Sequence, residues 1–317
     1  MADGSPRFAG NLEATSEAAR AARLKGIGLM LAALACFACL DAIAKTLNHQ
    51  MHAIQAVWAR YAFHFLLAFV FLNPWTTPGI TRTKKLPLQI GRATLLVLST
   101  ASNFVALKYL QLDEAMTITF ATPFVVAILA GPMLGEWVGP KRLAAILVGF
   151  LGVLVVTRPG LGGIHPAAAL SFLNCLFYAL YIITTRMLAG HDATSTTLFY
   201  SSLIGAAIVT PLAPFVWIWP TWQGWILMVA VGGFGALGHY FFIAAHRLAP
   251  AAVLSPFIYT QLIAAAALGF VIFGHVPGLW TLAGAGIVIG SGLYLLMRER
   301  RGRVVKTADI APAGPER

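Results

Sequence analysis

Ten mostly apolar stretches, separated by short polar breaks, make up most of the sequence. Their limits fall near 25–47, 53–72, 88–109, 115–134, 142–157, 167–188, 194–216, 223–246, 251–273 and 279–297. Runs of about 20 apolar residues are what a helix needs to cross a bilayer, where each backbone group must bond within its own segment. The breaks hold turn residues, among them Pro78-Gly79, Gly139-Pro140 and Pro277-Gly278. Trp58, Trp75, Trp137, Trp217, Trp219, Trp222, Trp225 and Trp280 stand at or near run ends, where interfacial rings belong. The pattern predicts an all-α integral membrane protein with ten transmembrane helices, the fifth being the shortest.

Composition agrees. Of 317 residues, 59% are hydrophobic and 10% charged, against roughly 25% charged in soluble domains. The net charge of +11 would suit a nucleic-acid binder, but most Lys and Arg flank the apolar runs or fill the tails. Arg82, Lys84, Lys85, Lys141, Arg142, Arg186, Arg247 and both tails fall on one side of the alternating runs, with only Lys108 and Arg158 on the other. The positive-inside rule then places both termini in the cytoplasm. No nucleic-acid partner is expected; the bilayer is. Residues 1–24 lack the apolar core of a signal peptide and read as a loosely ordered cytoplasmic tail, as do 298–317.

The two halves resemble each other. Lys45-Thr-Leu47 aligns with Arg186-Met-Leu188, Ala106-Leu-Lys-Tyr-Leu110 with Ala244-Ala-His-Arg-Leu248, and Gly135-Glu-Trp-Val-Gly139 with Gly274-His-Val-Pro-Gly278. Five runs per half is an odd number, so the second half enters the membrane from the opposite side, as in the inverted repeats of many transporters. An Ala-rich third run, Thr122-Pro123-Phe124 in the fourth, Leu134-Gly135-Glu136 at the turn and Gly149-Phe-Leu-Gly152 in the fifth carry a family resemblance. The pattern recurs more weakly at Ser255-Pro256-Phe257, Gly274-His275 and Gly284-Ala-Gly286. On these residues the chain resembles the drug/metabolite transporter superfamily, in its ten-helix EamA branch. His275 stands where that pattern usually has Glu.

The resemblance implies two inverted five-helix EamA repeats, 25–157 and 167–297, joined by a 158–166 linker. It also implies a secondary active transporter of a small organic metabolite in the bacterial inner membrane, working by alternating access. Asp41-Ala-Ile-Ala-Lys45, Leu198-Phe-Tyr-Ser201 and Ser255-Pro-Phe-Ile-Tyr259 resemble uptake proteins for cofactor-like solutes such as S-adenosylmethionine or riboflavin. Export of amino acids or related metabolites is the alternative. Partners would be the solute and either a coupled proton or an exchanged solute.

Ionisable groups inside a span cost about 2.5–3.5 kcal/mol on insertion scales and are functional suspects. Asp41 in the first run and Arg60 in the second lie at one depth, roughly 10 Å from the outer ends at 1.5 Å per residue. Asn103 in the third sits level with them, and His64 is one turn from Arg60. An acid, a guanidinium and an amide at one level suit a zwitterionic or hydrogen-bonding solute; an Asp41–Arg60 pair that merely pins two helices is the other reading. Lys45 and Arg92 lie near run ends and are expected to snorkel. In the second half Tyr178, Tyr181, His239, Tyr259 and Gln261 are binding candidates, each with packing as its alternative.

Other chemistry is excluded more firmly. Gly233-Phe-Gly235-Ala-Leu-Gly238 has dinucleotide spacing but lies inside a run and follows no strand, so it reads as helix packing. Gly131xxxGly135 and Gly286xxxGly290 read the same way. Cys36, Cys39 and Cys175 sit in apolar runs without further ligands, and no cofactor or metal site is expected. Neither a metalloprotease motif, a nucleophile elbow nor a phosphate-binding loop occurs, so an enzyme is not expected.

Overall fold

The computed structural model describes residues 6–71, 75, 77–135, 139–157, 165–188, 191–249 and 254–308, with side chains left aside for 6–19 and 298–308. Glu136, Trp137 and Arg158 lie outside the described residues. Regular structure among the described residues is helical: α1 (Pro6–Leu47), α2 (Ala53–Phe71), α3 (Leu86–Leu107), α4 (Leu112–Thr119), α5 (Thr122–Leu134), α6 (Pro140–Thr157), α7 (Ala168–Leu188), α8 (Thr194–Val209), α9 (Trp222–Leu248), α10 (Thr260–Phe273) and α11 (Leu279–Ala308). Two 3-10 turns, Ala213–Val216 and Ser255–Tyr259, complete the order.

Among the described residues, six segments are long and apolar enough to cross a membrane: Arg20–Leu47, Ala53–Val70, Leu86–Leu107, Leu112–Leu134, Ala168–Thr185 and Trp222–Ala245. Four more are apolar but shorter: Leu143–Val156, Ser195–Val209, Phe257–Phe273 and Leu279–Tyr294. Outward faces are apolar too, with Ile263 71% and Val271 77% exposed, which only a lipid surround makes tolerable. At both ends helix runs further than the apolar pattern: α1 begins at Pro6 and α11 continues to Ala308. The Ala, Glu, Arg and Lys of these polar segments are good helix formers, so helix continues where a loose tail is expected.

The fourth span is broken between α4 and α5. Pro123 has no N–H to give Thr119, one turn back. The carbonyl of Thr119 instead accepts from Thr122 Oγ1 at 2.6 Å, and Cys175 Sγ donates to the neighbouring Ile118 carbonyl at 3.1 Å. Cys175 is therefore a buried donor that compensates a helix break rather than inert filling. The second half repeats the device, with a 3-10 turn at Ser255–Tyr259 leading into α10 and Thr260 Oγ1 bonding the Phe257 carbonyl at 2.6 Å. Both broken spans end on a left-handed glycine, Gly135 (φ 73°) and Gly274 (φ 68°). Only glycine adopts that conformation without strain.

Helix partners obey an exchange of the halves. α1 packs on α9 and α10 of the second half, while α7 packs on α3, α4 and α5 of the first; α2 meets α8 and α9, and α8 meets α2 and α3; α6 pairs with α11. Exchanging α1 with α7, α2 with α8, α3 with α9, α4 and α5 with α10, and α6 with α11 maps this set of contacts onto itself.

Close approach falls only partly on the glycines that the spacing picked out. A Cβ at Gly284 would stand 2.5 Å from the Gly152 carbonyl oxygen, so α6 and α11 touch backbone to backbone there. Gly286 and Gly290, by contrast, have nothing within 4 Å, and neither does Gly135. The Gly286xxxGly290 expectation is thus wrong: that face of α11 is exposed, and two residues, about 200° of helical phase, separate Gly286 from the buried Gly284. On α9 the packing reading of the glycine cluster holds at Gly235 and Gly238, joined by Gly232. A Cβ at Gly232 would collide with Phe63 Cβ (2.4 Å) and one at Gly238 with Phe37 (2.6 Å), which seats α9 between α1 and α2.

Candidate functional site

A polar stripe runs down α3 at Gln89, Arg92, Ser99 and Asn103, with Leu96 completing the alternating three- and four-residue spacing. That spacing keeps one helix face toward the interior, and each stripe member meets a different neighbour. Asn103 Nδ2 donates to Asp41 Oδ1 on α1 (2.9 Å), and Ser99 Oγ donates to Asn174 Oδ1 on α7 (2.6 Å). Arg92 Nε donates to Thr185 Oγ1 (2.7 Å), and its Nη1 to Ser201 Oγ (2.8 Å) and the Thr197 carbonyl (3.4 Å). Its Nη2 donates to Tyr181 Oη (3.1 Å), and the guanidinium lies 4.7 Å over the Tyr181 ring.

Arg92 therefore does not snorkel. It is 2% exposed, its charge spread over donors to α7 and α8. Lys45 departs from expectation in the same way: buried, it donates to the carbonyls of Leu107 (2.8 Å) and Leu110 (2.6 Å) at the end of α3. These carbonyls have no intrahelical donor, so the ammonium gains more by capping α3 than by reaching water.

Arg60 and His64 stand one turn apart on α2, both buried. Arg60 Nη2 lies 3.5 Å from His239 Nε2 on α9, and the guanidinium covers the Tyr61 ring at 4.6 Å. His64 and His239 stack with centroids 5.8 Å apart, and His239 meets the edge of Phe37 at 5.2 Å. Gly235 permits this: a side chain there would press on Leu40, His64 and Arg60. Arg60 Nη1 and His64 Nδ1 are buried with no hydrogen-bond partner among the described residues. Tyr61 Oη bonds Thr100 Oγ1 on α3 at 3.0 Å.

The Asp41–Arg60 ion pair is not formed. Asp41 turns to Asn103 and Arg60 to His239, although Arg60 remains near enough to act on Asp41 through its charge. Of the other candidates, Tyr181 joins the cluster and stacks on Tyr178 at 5.6 Å. Tyr259 stands apart, edge-on to Phe120 and filling the notch at Gly292. Gln261 is half-buried and makes no hydrogen bond among the described residues. Arg92, Tyr61, Ser201 and Ser202 are the members that sequence reasoning missed; the α3 stripe is the pattern that could have revealed Arg92.

Arg60, Tyr61, His64, Tyr181, Ser201, Ser202 and His239, with Leu96 and Leu198, enclose about 10 Å³ of free space, room for about one water. A larger groove of about 420 Å³ lies between α6 and α11, lined by Ala144, Ala145, Val148, Gly290, Ser291 and Tyr294. It holds no ionisable group except a tyrosine and opens on the apolar outer surface, so the smaller buried space is the better site.

Both ends of the bundle are tied across the halves. At one end Asp192 accepts from Thr83 Oγ1, from Lys84 N (3.0 Å) and from Gln89 Nε2 (2.9 Å), and Tyr200 Oη donates to the Thr81 carbonyl (2.8 Å). Asp192 lies between spans; the slight burial that would raise its carboxyl is outweighed by the Lys84 N–H and the Thr83 and Gln89 donors, which hold it below the ordinary carboxylate range. At the other end Gln55 bonds Ile218 twice, Nε2 to its carbonyl (2.8 Å) and Oε1 from its N–H (2.9 Å). Trp58 Nε1 donates there to Thr210 Oγ1 (3.2 Å) and meets Trp217 edge-on at 5.2 Å.

A buried charged cluster between two similar halves, closed at each end by contacts across them, is a transporter's arrangement. The sequence profile described as the EamA-like transporter family matches residues 24–158 and, a second time, 165–298. The chain belongs to that family. Relatives of this EamA protein carry transporter names rather than enzyme names. The S-adenosylmethionine uptake transporter of Rickettsia felis is 27% identical over 280 residues, covering 88% of this chain and 94% of that protein. The riboflavin transporter of Vibrio cholerae is 26% identical, covering 88% and 95%. The pseudopaline exporter CntI of Pseudomonas aeruginosa is 25% identical, covering 87% and 97%. A solved crystal structure covers 87% of this chain and 98% of its own at a TM-score of 0.63 and 17% identity, which shows a shared fold. The EamA chain is a multi-pass membrane protein of the drug/metabolite transporter type, with a small-molecule substrate.

Proposed function

We propose that the protein is a secondary active carrier that moves a small organic metabolite across the bacterial inner membrane by alternating access. The ten apolar segments act as ten spans in two inverted five-helix repeats, 25–157 and 167–297, with both termini cytoplasmic. Solute binds among Asp41, Asn103, Arg60, His64, His239, Tyr178 and Tyr181. The observation that carries this reading is the buried, incompletely bonded Arg60–His64–His239 group between two tied ends. Groups left without partners in low dielectric are costly unless a ligand completes them. With both ties made and little free space, the structure resembles an occluded state; releasing one tie at a time would open the cluster to one side, then the other.

Uptake of a cofactor-like solute such as S-adenosylmethionine or riboflavin is the favoured reading, since one relative is named an S-adenosylmethionine uptake transporter and another a riboflavin transporter. The exporter relative keeps outward transport of amino-acid-derived metabolites as the second reading. Purified protein in liposomes, loaded with each solute and assayed for exchange, separates the two. Saturable exchange that Asp41→Asn removes supports the site; undiminished exchange by a folded Asp41→Asn protein sinks it. His64 and Asp41 are the groups to examine for a coupled proton.

A further inference from the structure

The charge balance of the buried cluster identifies a chemical class of solute, and this inference rests on the carrier reading. Two guanidiniums enter the space between α2, α3, α7, α8 and α9: Arg60, which lines it, and Arg92, which reaches it through Tyr181 and Ser201. Both are more than nine-tenths buried. Asp41, the one nearby carboxylate among the described residues, has Oδ1 occupied by Asn103 and forms no ion pair with Arg60. Arg92 is surrounded by neutral hydroxyls and a carbonyl, which spread its charge without cancelling it. Arg60 is less satisfied still, since Nη2 reaches only an imidazole nitrogen at 3.5 Å and Nη1 reaches nothing.

The site thus holds an excess positive charge in a low-dielectric interior, and Arg60, which lines it, keeps a buried N–H donor at Nη1 without a hydrogen-bond partner among the described residues. A solute with no anionic group would leave the guanidinium uncompensated. S-adenosylmethionine, though cationic overall, carries a carboxylate that could meet it, whereas riboflavin carries none, so the site favours the first of these two solutes. A carboxylate or phosphate oxygen would accept from Arg60 Nη1 with a charge-assisted hydrogen bond, while Ser201, Ser202 and Tyr181 offer hydroxyls on the adjoining wall. We infer that Arg60 is a specificity-determining residue that receives an anionic group, carboxylate or phosphate, of the transported solute. Arg92 is a positioning residue that holds Tyr181 and Ser201 and adds to the positive potential.

Matched pairs test this on the detergent-purified full chain. S-adenosylmethionine is compared with its decarboxylated form, methionine with methioninamide, and riboflavin with riboflavin 5′-phosphate, by thermal shift and by competition for exchange in liposomes. In at least one pair the anion-bearing member should bind tenfold or more tightly. Arg60→Gln should erase that preference, Arg60→Lys retain part of it, and Arg92→Lys weaken it less. Preference for a carboxylate without preference for a phosphate, or the reverse, tells which oxyanion the site takes. Equal binding within every pair, preference for the member that lacks the carboxylate or phosphate, or no binding by any oxyanion-bearing member overturns the proposal. Should Arg60→Gln fail to fold, the matched pairs on the unmodified protein still decide. Saturable flux of an uncharged solute would overturn this inference and leave the carrier reading standing; anion binding without flux would do the opposite.

Discussion

Replacing Gly284 by alanine tests the α6–α11 contact, where the two halves touch backbone to backbone. The new Cβ would fall 2.5 Å from the Gly152 carbonyl oxygen and 2.4 Å from Val156 Cγ2. The Val156 methyl can rotate aside, but the carbonyl belongs to helix backbone, so the helices must separate. Overpacking of this kind costs about 1–3 kcal/mol. Alanine recovers about 1 kcal/mol through helix propensity, which leaves a net loss of about 0–2 kcal/mol. Gly286→Ala, two residues along the same helix, gains the propensity and meets nothing within 4 Å, so it should be neutral or stabilising by up to about 1 kcal/mol. The pair can be compared by unfolding in a mixed-detergent titration followed through tryptophan fluorescence. A Gly284→Ala protein as stable as Gly286→Ala, or more so, would refute the contact and restore Gly286xxxGly290 as the packing face.

Three further outcomes are expected. Gln55→Ala removes both bonds to the Ile218 backbone and should cost about 1–3 kcal/mol of the tie at that end; cysteine-accessibility labelling of residues lining the cluster should rise from that side only, and unchanged labelling would show the tie to be incidental. Asp192 has a carboxyl held below its ordinary value, so the contribution of its charge is fully present above about pH 4 and fades as pH falls below that range; Asp192→Asn should abolish this acid-side loss in the thermal unfolding profile, and an identical profile in the variant would exclude the tie. Lys45→Met leaves the Leu107 and Leu110 carbonyls without their buried donor and should destabilise the protein by about 1–3 kcal/mol, whereas a snorkelling lysine would be replaced at no measurable cost in the same titration.

The sequence by itself determined the solvent, the helical class and the two-fold repetition. Long apolar runs in a chain with 10% charged residues leave hydrogen-bonded helices as the way across lipid, and Pro123 with Gly135 recurs as Pro256 with Gly274 whatever the packing. It also picked out Asp41, Arg60, His64, His239 and Tyr181, because an ionisable or polar group in an apolar run is costly wherever it points. Only the tertiary structure decided the pairing. Asp41 and Arg60 share a depth, but depth along an axis does not fix rotation about it, and each turned to a different neighbour. Arg92 and Lys45 lie near run ends, where a one-chain view offers water as the cheapest partner; the folded bundle offers hydroxyls and helix-end carbonyls within closer reach. A spacing rule favours Gly286, four residues before Gly290, over Gly284, yet helical phase against α6 makes Gly284 the glycine that must stay small and Gly286 the one that is free to change.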